Sequence, residues 1–248
     1  MPLSSNSVLH FTSKGNIKSI LEGNFQVRYR RETVTCKNRK FDFYVPMVCF
    51  CDIPLSEIKS HISVYGSYGI GLTKAWARSN GLNPILYLEP NSYLAVSLIA
   101  LLEGYPSLTP DNEDRNHLKS ALGLVNVIRH LKNYQGAMMD KRTGLINEAY
   151  KFTDEREWRF VPTWDFIQDP LLPADISEPK LQDENVRISQ RRLMFTPDDV
   201  SYIIINDDSE ISEFIELLKV VKGTKYKKED VERLTTRLLT TEQIMNDI

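Results

Sequence analysis

Apolar residues recur along this chain at two spacings, and the switches between them divide it into strands and helices. Val8 to Phe11 reads as a short strand, followed by a helix from about Asn16 to Leu21 that Ser13 caps and Gly23 closes. That order carries His10, Phe11 and Thr12 to a strand end, where side chains can face a cleft. Val45 to Ile53 is a compact run of β-branched and aromatic residues ended by Asp52 and Pro54, which predicts a mostly buried strand. Leu55, Ile58, Ile62 and Tyr65 then keep helical spacing, and Gly66 to Leu72 forms a turn running into a strand. Gly66, Gly69 and Gly71 miss the spacing of phosphate-binding loops, so they point to a tight turn beside something bulky, a ligand or the neighbouring strand. A short helix around Trp76 ends at Gly81, and Pro84 to Leu88 is the next strand.

Between Asn91 and Tyr134 two helical patterns dominate, the second carrying Leu118, Ala121, Leu122, Val125, Ile128 and Leu131 on one face. They predict a helical insertion at about 91–145. The most apolar stretch, Tyr93 to Leu102, is too short to cross a bilayer and predicts a buried helix. Arg156 to Val161 reads as a half-buried strand and Val200 to Ile205 as a clear one. Helices follow at Ile211 to Val221 and at Glu229 to Ile248, a C-terminal helical segment of about 209–248. Without a strict βαβ repeat, the expected architecture is α+β with a mixed or antiparallel split sheet, in one domain over 1–248. Asn24 to Tyr44 holds Arg28, Arg30, Arg31, Lys37, Arg39 and Lys40 against Glu32 and Asp42, and is expected to be an irregular, exposed segment.

Composition narrows the classes. At 248 residues, 42% hydrophobic and 26% charged, the chain can bury a core without a metal or disulfide staple. Lys plus Arg at 31 against Asp plus Glu at 33 excludes a histone-like coat but leaves room for a local basic patch. Three cysteines and a start, MPLSSNSVLH, without a secretory layout imply a reducing, cytoplasmic setting with no structural disulfide and no membrane. Cys49 and Cys51 share one face of a strand but lack a second Cys or His pair at zinc spacing, so they read as buried strand cysteines and no metal site is expected.

Asp154 to Arg159 is the most unusual segment, with acids and arginines alternating around Trp158. A period of two places Glu155, Glu157 and Arg159 on one face and Arg156, Trp158 and Phe160 on the other. Charges on a half-buried strand need partners or a ligand, and a cross-strand Glu and Arg ladder would supply the former. His10, alone, reads as a hydrogen-bonded core histidine. Its chemical case depends on sharing a cleft with Tyr65 or Tyr68 and with Glu157, since such a trio could hold a ribose and an aromatic ring and stabilise a sugar cation. The basic stretches Arg28 to Lys40 and Lys219 to Lys228, with aromatic residues interleaved, could touch phosphates or be solvated loops.

Several of these segments together resemble the AbiGi family of bacterial abortive-infection proteins: Leu9 to Thr12 with Asn16 to Leu21, Pro46 to Leu55, Tyr65 to Leu72, Glu155 to Arg159, and Leu234 to Asp247. The resemblance implies a role in phage resistance and a toxin-like partner encoded by a neighbouring gene. A looser similarity, in the order of histidine, tyrosine and glutamate, is to ADP-ribosyltransferases. It implies a fold of that kind and NAD as substrate. His10, with Thr12 beside it, would bind the ribose and Tyr65 or Tyr68 would stack on nicotinamide. Glu157 would stabilise the ribosyl cation, Glu155 would complete a Glu-x-Glu pair, and the basic run Arg28 to Arg31, or Arg159, would meet the pyrophosphate. Two other classes stand beside this transferase reading: a non-catalytic antitoxin or sensor that binds a partner toxin, and a nucleic-acid-binding regulator.

Overall fold

The computed structural model describes residues 5–104, 115–139, 144–163 and 170–247. The chain opens with β1 (Ser7–Thr12), α1 (Lys14–Gly23), β2 (Phe25–Gln26), β3 (Arg28–Cys36) and β4 (Arg39–Cys51). Next come α2 (Lys59–Tyr65), β5 (Tyr68–Thr73), α3 (Lys74–Ser79), β6 (Asn83–Pro84), β7 (Leu86–Leu88), α4 (Tyr93–Gly104) and α5 (Arg115–Ile128). Then follow β8 (Leu131–Asn133), β9 (Gln135–Met139), β10 (Ile146–Lys151), β11 (Glu157–Phe160), β12 (Leu172–Pro173), α6 (Glu178–Ile188) and β13 (Arg192–Leu193). The chain ends in β14 (Val200–Ile205), α7 (Ile211–Gly223), α8 (Lys228–Thr235), β15 (Leu238–Thr240) and α9 (Thr241–Asp247).

The result is α+β, built on a mixed sheet with strand order β15-β14-β5-β1-β4-β11-β6. β4 is long enough to serve two halves of that sheet. One edge pairs with β3 and, further along, β1, while the other pairs with β12 and then β11. All neighbours on the main path are antiparallel except β14 and β15, whose parallel pairing is made possible by the crossover through α7 and α8. Strand alternation gives the sheet two apolar faces. On the first, Val8, Val48, Phe50, Ile70, Leu72 and Ile203 meet residues of α1, α3, α6, α7 and α8 such as Leu21, Ala77, Leu181, Phe214 and Leu234. The second face is divided in two: Leu9, Cys51 and Ile204 pack with Ile58 and Ile244 at one end, and Val34, Val45 and Met47 pack with Ala95, Leu98 and Ile128 at the other.

Four expectations change. The insertion of about 91–145 is not helical throughout: α5 ends at Ile128, and Leu131 belongs to β8, which pairs with β7 and is followed by β9. Residues 24–44 are not irregular: they form β2 and the β3–β4 hairpin, closed by a two-residue turn at Lys37 and Asn38 with Lys37 at φ 51°. The arginines hid an alternation in which Val34, Cys36, Phe43 and Val45 face the core. Tyr93 to Leu102 is helical, but Tyr93, Leu94 and Leu101 point outward, with Tyr93 87% exposed. The terminal helix is interrupted by β15, because Leu238 to Thr240 find a strand edge in β14. The glycines of the 66–71 turn sit against the neighbouring strand: a Cβ on Gly66, at φ +119°, would lie 2.6 Å from the Thr12 carbonyl oxygen.

Lys222, near the end of α7, is 3% exposed and sets its ammonium 4.8 Å from the Phe195 ring centroid, with no carboxylate at ion-pair distance among the described residues. Burial, helped by Lys225, lowers its pKa to about 8. The unfolded chain therefore binds more protons than the folded one between about pH 8 and 10.5, so stability should rise through that window in denaturant titrations. Lys222→Met should raise Tm at pH 7 by about 2–5 °C and abolish the alkaline gain. Gly66→Ala should lower stability by about 2–4 kcal/mol, read by the same titration, since a backbone carbonyl cannot yield to the added methyl.

Candidate functional site

Between the two apolar parts of the second face lies a seam of buried charge, and the pairing register places it there. Leu9 pairs with Cys51, and Cys51 pairs with Glu157, so these three side chains share a face; Cys49 opposite Arg159 extends the row. Arg159 is fully buried. Its guanidinium donates to Glu157 Oε1 at 2.8 Å, to the Arg129 carbonyl at 2.8 Å and to Glu32 Oε1 at 3.2 Å. Lys132, from β8, donates to Glu157 Oε2 at 3.0 Å and to Glu155 Oε2 at 3.2 Å, and its ammonium lies 4.7 Å from the Phe152 ring centroid. The Tyr65 hydroxyl donates to Glu155, and the Tyr87 hydroxyl accepts from the Glu157 backbone N–H at 3.1 Å. The left-handed turn at Arg156, φ 44°, lets Glu155 reach the same cluster from outside the strand, while the Arg156 carbonyl accepts from the Asp52 N–H.

Three carboxylates here face two permanent cations. Burial alone would raise the Glu157 carboxyl, but Arg159 and then Lys132 outweigh it and hold the group well below the usual carboxylate range. Burial opposes the Lys132 ammonium too, yet Glu157, Glu155 and Glu32 outweigh it and hold it charged. Glu32 goes the other way: burial raises it, and Arg159 and Lys132 compensate only in part. Burial followed by the Glu155 charge keeps the Tyr65 phenol protonated far above its ordinary value. The thiols of Cys49 and Cys51 are pushed up, chiefly by burial, which disfavours the thiolate form.

The seam gathers four of the residues singled out in the sequence: Tyr65, Glu155, Glu157 and Arg159. The others lie elsewhere. His10 follows Leu9 in β1 and therefore points to the opposite face, where its ring sits edge-on to Phe25 at 5.3 Å and near Phe50 at 5.6 Å. Its Nδ1–H donates to the Cys49 carbonyl at 2.7 Å, and burial lowers its pKa, which keeps the imidazole neutral. The trio expected around one cleft is therefore not assembled, because the sheet itself stands between His10 and Glu157. Tyr68 is also on the first face, stacked on Phe214, with its hydroxyl donating to Glu210 at 2.8 Å; burial, then Glu210, pushes its pKa up to about 12. Thr12 accepts from Asn16 Nδ2 at the entry to α1. Arg28 is exposed and donates to Gln26, and Arg159 is wholly engaged inside the seam, so neither presents a guanidinium to a shared pyrophosphate position.

Sequence reasoning missed Glu32, Lys132 and Tyr87. Glu32 carried a faint signal as the lone acid in the Arg28 to Lys40 run, but Lys132 and Tyr87 are single residues on short strands with no local pattern. Among the described residues, no group of three or more His, Cys, Asp or Glu side chains is arranged to hold a metal ion, and no helix is long and apolar enough to cross a membrane.

Residues 23–206 match the model of a family described as "Putative abortive phage resistance protein AbiGi, antitoxin". The chain is also similar to a Lactococcus lactis subsp. cremoris protein named "Abortive phage resistance protein AbiGi", at 28% identity over 226 residues that cover 83% of this chain and 90% of that protein. No solved structure matches the chain.

Breaking the seam should cost folding stability before anything else. Glu157→Gln leaves Arg159 and Lys132 without their shared counter-charge and should destabilise by about 3–5 kcal/mol in urea unfolding. The contribution of Glu157 is complete above the ordinary carboxylate pKa near 4.5 and is lost as pH falls toward its depressed folded value. The variant should accordingly lose less stability than the parent between pH 5 and 3, as followed by Tm.

Proposed function

Because the chain belongs to the AbiGi family of abortive phage resistance proteins, we propose that it is the partner-binding, non-catalytic half of a two-gene defence system. In this reading it holds a toxin-like protein, encoded beside it, in an inactive complex until infection releases that protein. The observation that carries the reading is the state of the charged groups. Glu157 has one carboxylate oxygen occupied by Arg159 and the other by Lys132, so it has little field left for a developing cation. The histidine that would complete a nucleotide site bonds to a backbone carbonyl on the other side of the sheet. Such a seam stiffens a scaffold, and a stiff scaffold suits a protein whose work is done by its surface. The word antitoxin in the description of the matching family agrees with this division of labour.

A second reading keeps the transferase. Tyr65, Glu155 and Glu157 do converge through Lys132, and an ADP-ribosyltransferase-like fold acting on NAD would use a tyrosine and a Glu-x-Glu pair in that neighbourhood. Opening of the seam on partner binding would have to free Glu157 for it.

Both readings meet the same pair of measurements. Co-expression with the neighbouring gene product should relieve its toxicity and the two proteins should co-purify. The purified chain and the complex should both leave labelled NAD intact. Nicotinamide release that survives in the parent and disappears in Glu157→Asp, at matched folded fraction, would instead establish the transferase.

A further inference from the structure

The β3–β4 hairpin has a two-residue turn, which fixes which backbone groups of β3 look outward. Cys36 and Arg39, flanking that turn, bond to each other, and the even-numbered residues back to Arg28 continue the ladder with β4. The N–H and C=O groups of Tyr29, Arg31, Thr33 and Thr35 therefore project from the free edge of the sheet. The two ends of that edge are stopped by asparagine side chains. The Tyr29 N–H donates to Asn185 Oδ1 at 2.9 Å. Asn133 receives the Thr35 N–H at 2.7 Å and donates to the Thr35 carbonyl at 2.8 Å. Between those stops, the outward N–H and C=O of Arg31 and Thr33 have no partner among the described residues.

Unpaired edges invite indiscriminate strand pairing, and charge along an edge restricts it. Here the exposed charges are of one sign. Arg31, in register with Tyr44, stands on one side of the edge, with Lys40 further along; Arg28 and Arg30, in register with Met47 and Val45, stand on the other. Arg28, Arg30, Arg31 and Lys40 are all exposed, and Asp42 is the counter-charge within reach of Arg31, at 3.6 Å. The slot spans only about three residues of a guest strand at ~3.4 Å per residue, so side-chain charge rather than ladder length must set its strength.

We propose that the free edge of β3 between Asn185 and Asn133 is a docking slot for an extended, acidic segment of a partner protein, which adds as a short strand to Arg31 and Thr33 with its carboxylates set against Arg28, Arg30 and Arg31. This rests on the partner-binding reading above and names the surface and the partner's chemistry. An outward carbonyl alternates with each outward N–H, an arrangement that matches a peptide backbone, which offers both donors and acceptors, and mismatches a phosphodiester one, which offers acceptors alone.

The test uses the full-length chain co-expressed with the product of the neighbouring gene. Amide exchange at Arg31 and Thr33 should slow on complex formation. Thr33→Pro removes an N–H that β4 does not use, which an edge strand tolerates, and should weaken binding by about ten-fold or more with unchanged circular dichroism. Thr33→Val, which keeps that N–H, should bind as the parent does. Arg31→Glu should weaken binding by about ten-fold and flatten its salt dependence. A stable complex whose exchange pattern leaves Arg31 and Thr33 unprotected overturns this slot and leaves the partner-binding reading standing, even if Thr33→Pro does not fold. Binding of RNA instead, lost in Arg31→Glu but indifferent to Thr33→Pro, also overturns it. Absence of any complex removes the partner-binding reading and the slot together.

Discussion

A guanidinium cannot stay buried on the face of a sheet unless carboxylates come with it, and the second face of this molecule is arranged around that requirement. Arg159 is fully buried, and its neutralisation draws in Glu157 from its own strand, Glu32 from β3 and, through Lys132, Glu155 from the turn before β11. Isolated ionised groups would be expelled from such a site at a cost of several kcal/mol each. Meeting as a set, they tie the β3–β4 hairpin, β8 and β11 to one another. Apolar packing on the same face stops on either side of the seam, so the two cores there are joined mainly by charge.

That arrangement explains the divergence between the residues' chemical promise and their placement. A histidine, a tyrosine pair and a Glu-x-Glu run look like parts of one site when read along the chain. Strand alternation separates them, since adjacent residues of a strand face opposite ways and the register decides which of them meet. Tyr65 joins the seam because α2 delivers it to the second face, whereas Tyr68, three residues later and already in β5, belongs to the first.

Much of the fold was legible. The strand and helix of the first residues, the buried run Val45 to Ile53, whose strand ends two residues early at Cys51, the strand at Val200 and the helix at Ile211 follow their hydrophobic spacing, and even the pairing of Glu157 with Arg159 on one face follows from a period of two. What could not be read were features decided across the chain. The basic hairpin hid its core alternation behind arginines, β15 needed a neighbouring edge to become a strand, and Lys132 gains its significance only from carboxylates brought in from elsewhere. The exposed side of α4 was misjudged for the same reason: composition describes a helix, and only its neighbours determine how much of it is covered.

Cys49 shows how tightly these constraints are interlocked. Its carbonyl holds the His10 imidazole on one side of the sheet, while its thiol lies on the side of the seam, paired across from Arg159. Slippage of β4 by a single position would exchange everything on its two sides, pressing Phe50 against the carboxylates and the thiols into the aromatic cluster of Phe25 and Trp76. No misaligned version of this strand can satisfy both sides at once. An inserted or deleted residue within β4 would consequently be felt across the entire molecule, whereas one in its terminal turn would shift only the hairpin tip.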